Sequence, residues 1–103
     1  MAAQVIWTEI ASDDLAGIAD YIAKDSNAYA AAFVGEILAA ARSLSQLARR
    51  GRQVPEFPDP SIRELLVGNY RLIYQMRDRR IFILGLIHGA RDLSALWERE
   101  GRS

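Results

Sequence analysis

The spacing of apolar positions changes along the chain. After Thr8, Leu15, Ile18 and Ile22 recur three and four residues apart with Tyr21 at their margin, while Asp13, Asp14, Asp20 and Lys24 fall largely off that stripe. This is the pattern of an amphipathic helix with a wet acidic face, starting near Glu9 and ending near Asp25. Thr8, with acids in the turns after it, predicts the N-cap, and the apolar run Gln4 to Trp7 before it predicts a short strand. Ser26-Asn27 reads as a turn and cap, after which Phe33, Ile37, Ala41, Leu44 and Leu47 or Ala48 trace a second, longer face. The alanine-rich stretch 28–41 favours helix and allows close approach of backbones, so the two helices form a tight hairpin.

From Arg49 to Ser61 the periodicity disappears, and Gly51, Pro55, Pro58 and Pro60 punctuate a constrained crossover. An alternating pattern then takes over. Ile62 to Val67 is a strand, Gly68-Asn69 a two-residue turn, Tyr70 to Arg77 the return strand and Asp78-Arg79 the next turn. Ile81 to Ile87 is apolar on both parities, as a central strand covered on both faces requires. In the strand before it, Tyr70, Leu72, Tyr74 and Met76 point one way, toward the helices, and Arg71, Ile73, Gln75 and Arg77 point the other. Asp92 or Ser94 caps a short last helix through Leu96 and Trp97. The expected fold is α+β, with the order β-α-α-β-β-β: a helical hairpin on one face of a small, mainly antiparallel sheet, then a short C-terminal helix.

A chain of 103 residues makes one domain, here 1–103. It holds no cysteine, which excludes disulfides, thiolate catalysis and cysteine-ligated zinc. The start lacks a basic segment followed by an apolar run, and Ile81 to Ile87 is far short of the ~20 residues that span a bilayer, so a cytoplasmic protein without membrane contact is expected. The formal net charge is zero, but it is unevenly spread. Residues 1–41 carry six acids against Lys24 alone, and residues 42–103 carry twelve arginines against seven acids, a balance of minus five against plus five. Such asymmetry serves either internal pairing or a binding footprint, and arginine suits bidentate contacts with carboxylate or phosphate.

The sequence from Trp7 to Leu93 resembles the RelE/ParE toxin superfamily of type II toxin–antitoxin systems, and its ParE-like branch most of all. The resemblance is carried by the helix-helix-meander order, by Tyr70-Arg71-Leu72-Ile73-Tyr74 in the middle of the meander and by His88-Gly89-Ala90-Arg91-Asp92 at its end. It implies a toxin that binds DNA gyrase without performing chemistry and is neutralised by a ParD-like antitoxin, touching DNA only through that antitoxin, with no cofactor and no metal. Two alternatives stay open: a RelE-like, ribosome-dependent endoribonuclease, and a degenerate member that only binds its antitoxin as co-repressor.

Arg71 is the sharpest candidate, because in mRNA-cleaving relatives an arginine at this point holds the scissile phosphate on an exposed concave sheet face. The duller reading is a solvated strand arginine paired to Glu64. With His88 and Arg91 it would make the catalytic set of the RelE-like alternative; with His88, Arg91 and Trp97 it makes the candidate target surface. The cleaving branch has a tyrosine about two turns after the basic residue near Arg91, roughly where Trp97 stands here, and indole is neither general acid nor general base. That branch is also lysine-rich, whereas Lys24 is the only lysine here. Histidine is a residue type suited to acid/base work, but His88 is a lone strand-end histidine, more simply structural. Arg49, Arg50 and Arg52 read best as cations complementing a helix C-terminus. Trp7, Tyr21, Phe33 and Phe82 read as core, yet Tyr21 and Tyr29 are also candidate apolar anchors for the antitoxin, with Arg71 and Arg91 supplying charged contacts.

Overall fold

The computed structural model describes residues 2–91 and 93–99. A short strand β1 (Gln4–Trp7) leads into helix α1 (Glu9–Ala23) through Thr8. The Thr8 hydroxyl accepts the Ala11 amide at 3.2 Å and donates to the Ile83 carbonyl at 2.7 Å, so one side chain caps the helix and ties its start to the sheet. Ser26 caps α2 (Asn27–Ser43) by accepting the Tyr29 amide at 3.1 Å, and only three residues separate the helices.

After α2 come β2 (Arg52–Gln53), β3 (Ile62–Val67), β4 (Tyr70–Arg77), β5 (Arg80–His88) and α3 (Leu93–Arg99). The sheet order is β1-β5-β4-β3-β2, antiparallel except where β1 runs parallel to β5, so the expected α+β architecture is observed. The two-residue β2 was not anticipated. Its pairs Arg52 with Glu64 and Gln53 with Arg63 are too short a strand for alternation to register. Gly68, at φ 58°, and Asp78, at φ 56°, make the two hairpin turns, in the left-handed region that glycine enters freely and aspartate tolerates.

Two cores sandwich the sheet. The larger joins Ala11, Ile37, Ala41 and Leu44 of the helical layer to Leu65, Leu72, Tyr74, Ile81, Ile83 and Leu86, with Leu15, Ile18 and Phe33 half-buried against it. The smaller lies on the opposite face, where Val54, Ile73 and Ile87 meet Leu93 and Trp97 of α3. The face expected to present arginine is therefore mostly covered by the 54–57 segment and the last helix. Between these faces β5 carries a bulge: Ile73 pairs with Gly85 and Tyr74 with Ile83, which leaves Leu84 unpaired. The bulge reverses parity, so Ile81, Ile83 and Leu86 all reach the helical side.

Several expectations change. Asp14 is not simply wet: β1 has ended opposite Ile83, and further along β5 the Asp14 carboxylate accepts the Leu86 amide at 3.0 Å. Helix α2 stops at Ser43, so Leu47 is exposed while Ala48 packs on the core. Arg49, Arg50 and Arg52 lie beyond the helix, and Arg42 is the cation in its last turn. Arg50 donates back to the Ser43 hydroxyl at 2.8 Å, and Arg52 belongs to β2. Ser94 sits within α3 and does not cap it; Asp92 lies outside the described residues. No helix among the described residues is long and apolar enough to cross a membrane.

Candidate functional site

The hairpin β3–β4 places Glu64 diagonally from Arg71, because Glu64 pairs with Ile73 and Leu66 with Arg71. Diagonal neighbours on one face lie within reach of long side chains. Arg71 Nε donates to Glu64 Oε1 at 2.6 Å, and its two terminal nitrogens clasp the carboxylate of Glu56 at 2.8 and 2.7 Å. Glu64 also accepts from Arg52 Nε across β2–β3 at 2.7 Å. The result is a chain Arg52–Glu64–Arg71–Glu56, two cations and two anions in alternation.

Its members differ in exposure. The Glu64 side chain is fully buried and that of Arg71 only 7% exposed, whereas those of Glu56 and Arg52 are 26% and 62% exposed. The doubly hydrogen-bonded Glu56 raises the Arg71 pKa further above its already high ordinary value, outweighing burial, and Glu64 adds to the effect. In return Arg71 holds the Glu56 carboxyl below its usual range. Arg71 is thus neither the open concave-face arginine nor the solvated one that the sequence suggested: its pairing with Glu64 is as expected, but the pair is buried.

Beside this network lies a cleft of about 500 Å³, whose walls include Arg52, Glu56, Leu66, Tyr70, Arg71 and His88. His88 is exposed at the end of β5. Its ring meets Tyr70 edge-on at 5.4 Å, Tyr70 in turn meets Phe33 at 5.0 Å, and His88 Nδ1 accepts the Ala90 amide at 3.2 Å. Arg91 is exposed just past this point, its amide donating to the His88 carbonyl at 3.1 Å. Arg71 and His88 share the cleft, and Trp97 does not. The indole is buried in the second core, 5.5 Å from the Phe57 ring. On the helical side Tyr21 and Tyr29 are 69% and 75% exposed, so Tyr21 is not core, and Lys24 Nζ lies 5.8 Å from the Tyr21 ring centre. Among the described residues no three His, Asp or Glu side chains group so as to hold a metal ion.

A second buried polar device supports the site from below. The Tyr74 hydroxyl donates to the Ala48 carbonyl at 2.8 Å and accepts the Gly51 amide at 3.0 Å, and burial pushes its pKa up. Arg63 donates to the Gly51 carbonyl at 2.8 Å. These bonds fix the strand that carries Arg52. Sequence reading missed Glu56 altogether. Its signal is slight: an acid beside Pro55 in a crossover that must pass over the arginine-bearing face.

Comparison with known proteins agrees with this architecture. A family model described as the ParE toxin of the type II toxin–antitoxin system parDE matches residues 5–93. The protein named Toxin RelE2 of Caulobacter vibrioides is 36% identical over 90 residues, which span 86% of this chain and 98% of that relative. Among solved structures, the chromosomal ParDE toxin–antitoxin system from P. aeruginosa superposes with a TM-score of 0.70 at 24% identity, covering 84% of this chain and 96% of the other. The RelBE2 toxin–antitoxin complex from Mycobacterium tuberculosis gives 0.63 at 22%, covering 85% and 99%. The helical hairpin on a five-stranded sheet and the match over residues 5–93 place this chain in the ParE toxin family, within the RelE/ParE superfamily of type II toxin–antitoxin toxins.

Proposed function

We propose that this toxin acts in the cytoplasm by binding DNA gyrase, performs no chemistry on RNA, and is neutralised by a ParD-like antitoxin. The observation that carries the reading is the occupation of Arg71. An arginine that is to hold a scissile phosphate must offer its donors to that phosphate, yet here Nε is held by the buried Glu64 and both terminal nitrogens by Glu56, an anion that a phosphate would first have to displace. Cleavage by 2′-hydroxyl attack also needs a general acid and a general base in reach. In the cleft His88 leans on Tyr70, and Trp97, which stands roughly where the resemblance implies a tyrosine in the cleaving branch, is buried. The family model that matches residues 5–93 is of the ParE branch, which supports the same reading.

The test is a supercoiling reaction with purified gyrase and relaxed plasmid. Added toxin is expected to block supercoiling or to accumulate gyrase–DNA cleavage complexes, and normal supercoiling at toxin excess contradicts the reading. The rival, a RelE-like endoribonuclease using Arg71, His88 and Arg91, has one observation in its favour: Arg71 and His88 line one cleft with Arg91 just beyond, in a chain 36% identical to a protein named RelE2.

A further inference from the structure

Glu56 and Glu64 hold Arg71 in different ways. Glu64 is fully buried on β3 and fixes Nε, so the guanidinium keeps its orientation whatever happens at its outer edge. Glu56 lies on a segment anchored on either side, by Val54 in the second core and by Phe57 against Trp97. The Val54 amide donates to the Ile62 carbonyl and the Phe57 amide to the Val54 carbonyl, so the backbone there is tied. Besides Arg71, the amides of Glu56 itself and of Leu93 hydrogen-bond the Glu56 carboxylate, but its side chain is partly exposed, so a rotation into water gives up these bonds while the loop stays in place. Such a rotation uncovers two parallel N–H donors that Glu64 keeps aimed.

We propose that the outer edge of Arg71 is a docking point for an acidic side chain of a peptide partner, and that Glu56 occupies it in the free protein as a displaceable plug. The neighbouring cleft supplies the rest of the ligand's description. Leu66 is 61% exposed on its wall, which Tyr70 and His88 also line, and Arg52 keeps an exposed guanidinium at its margin. With Glu56 swung out, Arg52, Arg71 and Glu64 leave one net positive charge, which matches a single carboxylate and not the repeated charges of a polynucleotide. A tethered competitor also sets a threshold: a free carboxylate does not displace Glu56, whereas an acid beside a large apolar residue that buries itself on Leu66 does. The ligand class is a peptide with an acid next to a leucine-like residue. This names a contact for the antitoxin and rests on the toxin–antitoxin reading for the partner's identity alone.

Synthetic peptides test the site itself, independently of gyrase. A labelled peptide of leucines and glutamates, its glutamine counterpart and a single-stranded RNA are titrated by fluorescence anisotropy against wild type, Glu56→Ala, Glu56→Ala/Arg71→Lys and Leu66→Ser, each checked for a cooperative melt. Glu56→Ala is expected to bind the glutamate peptide roughly tenfold more tightly than wild type. The gain should vanish with the glutamine peptide and with Arg71→Lys, and Leu66→Ser should weaken binding. Should the Arg71→Lys protein fail to fold, the glutamine peptide and Leu66→Ser still decide. Equal affinity of wild type and Glu56→Ala, an equal gain for the glutamine peptide, or a gain confined to RNA would overturn the proposal.

Discussion

Replacing Glu64 with alanine is the most informative perturbation of the ion network. Glu64 is fully buried and receives Arg52 at 2.7 Å and Arg71 at 2.6 Å. The two halves are not equal. The Arg52 side chain is 62% exposed and regains water when its partner goes, so its bond counts for little. Arg71 is 7% exposed and keeps only Glu56, leaving a buried guanidinium half-paired. Removing one partner of a buried pair costs about 3–5 kcal/mol, and the remaining Glu56 contact puts Glu64→Ala at about 3 kcal/mol. At roughly 4–8 °C per kcal/mol for a domain of about this size, Tm should fall by roughly 12–24 °C. Scanning calorimetry of Glu64→Ala, Glu64→Leu, Arg71→Met and Glu64→Leu/Arg71→Met distinguishes a lost charge pair from lost packing. The double variant replaces both charges with apolar groups of similar volume and should regain at least half the loss. A Tm drop under about 4 °C for Glu64→Ala, or strictly additive losses in the double variant, would refute this account of the network.

Two further outcomes follow from the geometry. A Cβ at Gly51 would lie 2.5 Å from the Glu64 carbonyl oxygen and 2.6 Å from the Tyr74 hydroxyl, so Gly51→Ala should cost about 1–3 kcal/mol by overpacking, read as a lowered urea midpoint at unchanged slope; Tyr74→Phe in the same chain should relieve part of that cost. Because Arg71 holds the Glu56 carboxyl below its usual range, Glu56 contributes stability that is fully present above its unfolded value of about 4.3 and is lost as pH falls through the lower folded value; the acid side of a Tm-against-pH profile should therefore be shallower for Glu56→Gln than for wild type.

How far the chain's structure was legible from its residues depended on the range of the forces involved. The helices were readable because Thr8 and Ser26 cap locally and Leu15, Ile18, Ile37 and Leu44 keep helical spacing. The meander was readable because Gly68-Asn69 and Asp78-Arg79 punctuate alternating runs. What escaped depends on contacts remote in sequence. Glu56 meets Arg71 only after the crossover folds over the sheet, and Arg71's burial follows from the second core that Val54, Ile73, Ile87, Leu93 and Trp97 build on the face taken to be open. Asp14 looked like one more helix-surface acid, because nothing local marks the Leu86 amide, 72 residues away, as its donor. Leu47 fitted the helical spacing, but α2 ends before reaching it.

Arg71 is engaged within the chain, and the proposed function holds that it does not serve RNA cleavage. This claim is tested most directly by mapping mRNA 5′ ends in a purified translation reaction with wild-type toxin and with Arg71→Ala. The account predicts intact messages with both proteins, at toxin concentrations that suffice to arrest gyrase. Codon-linked cuts produced by wild type and abolished by Arg71→Ala would contradict it.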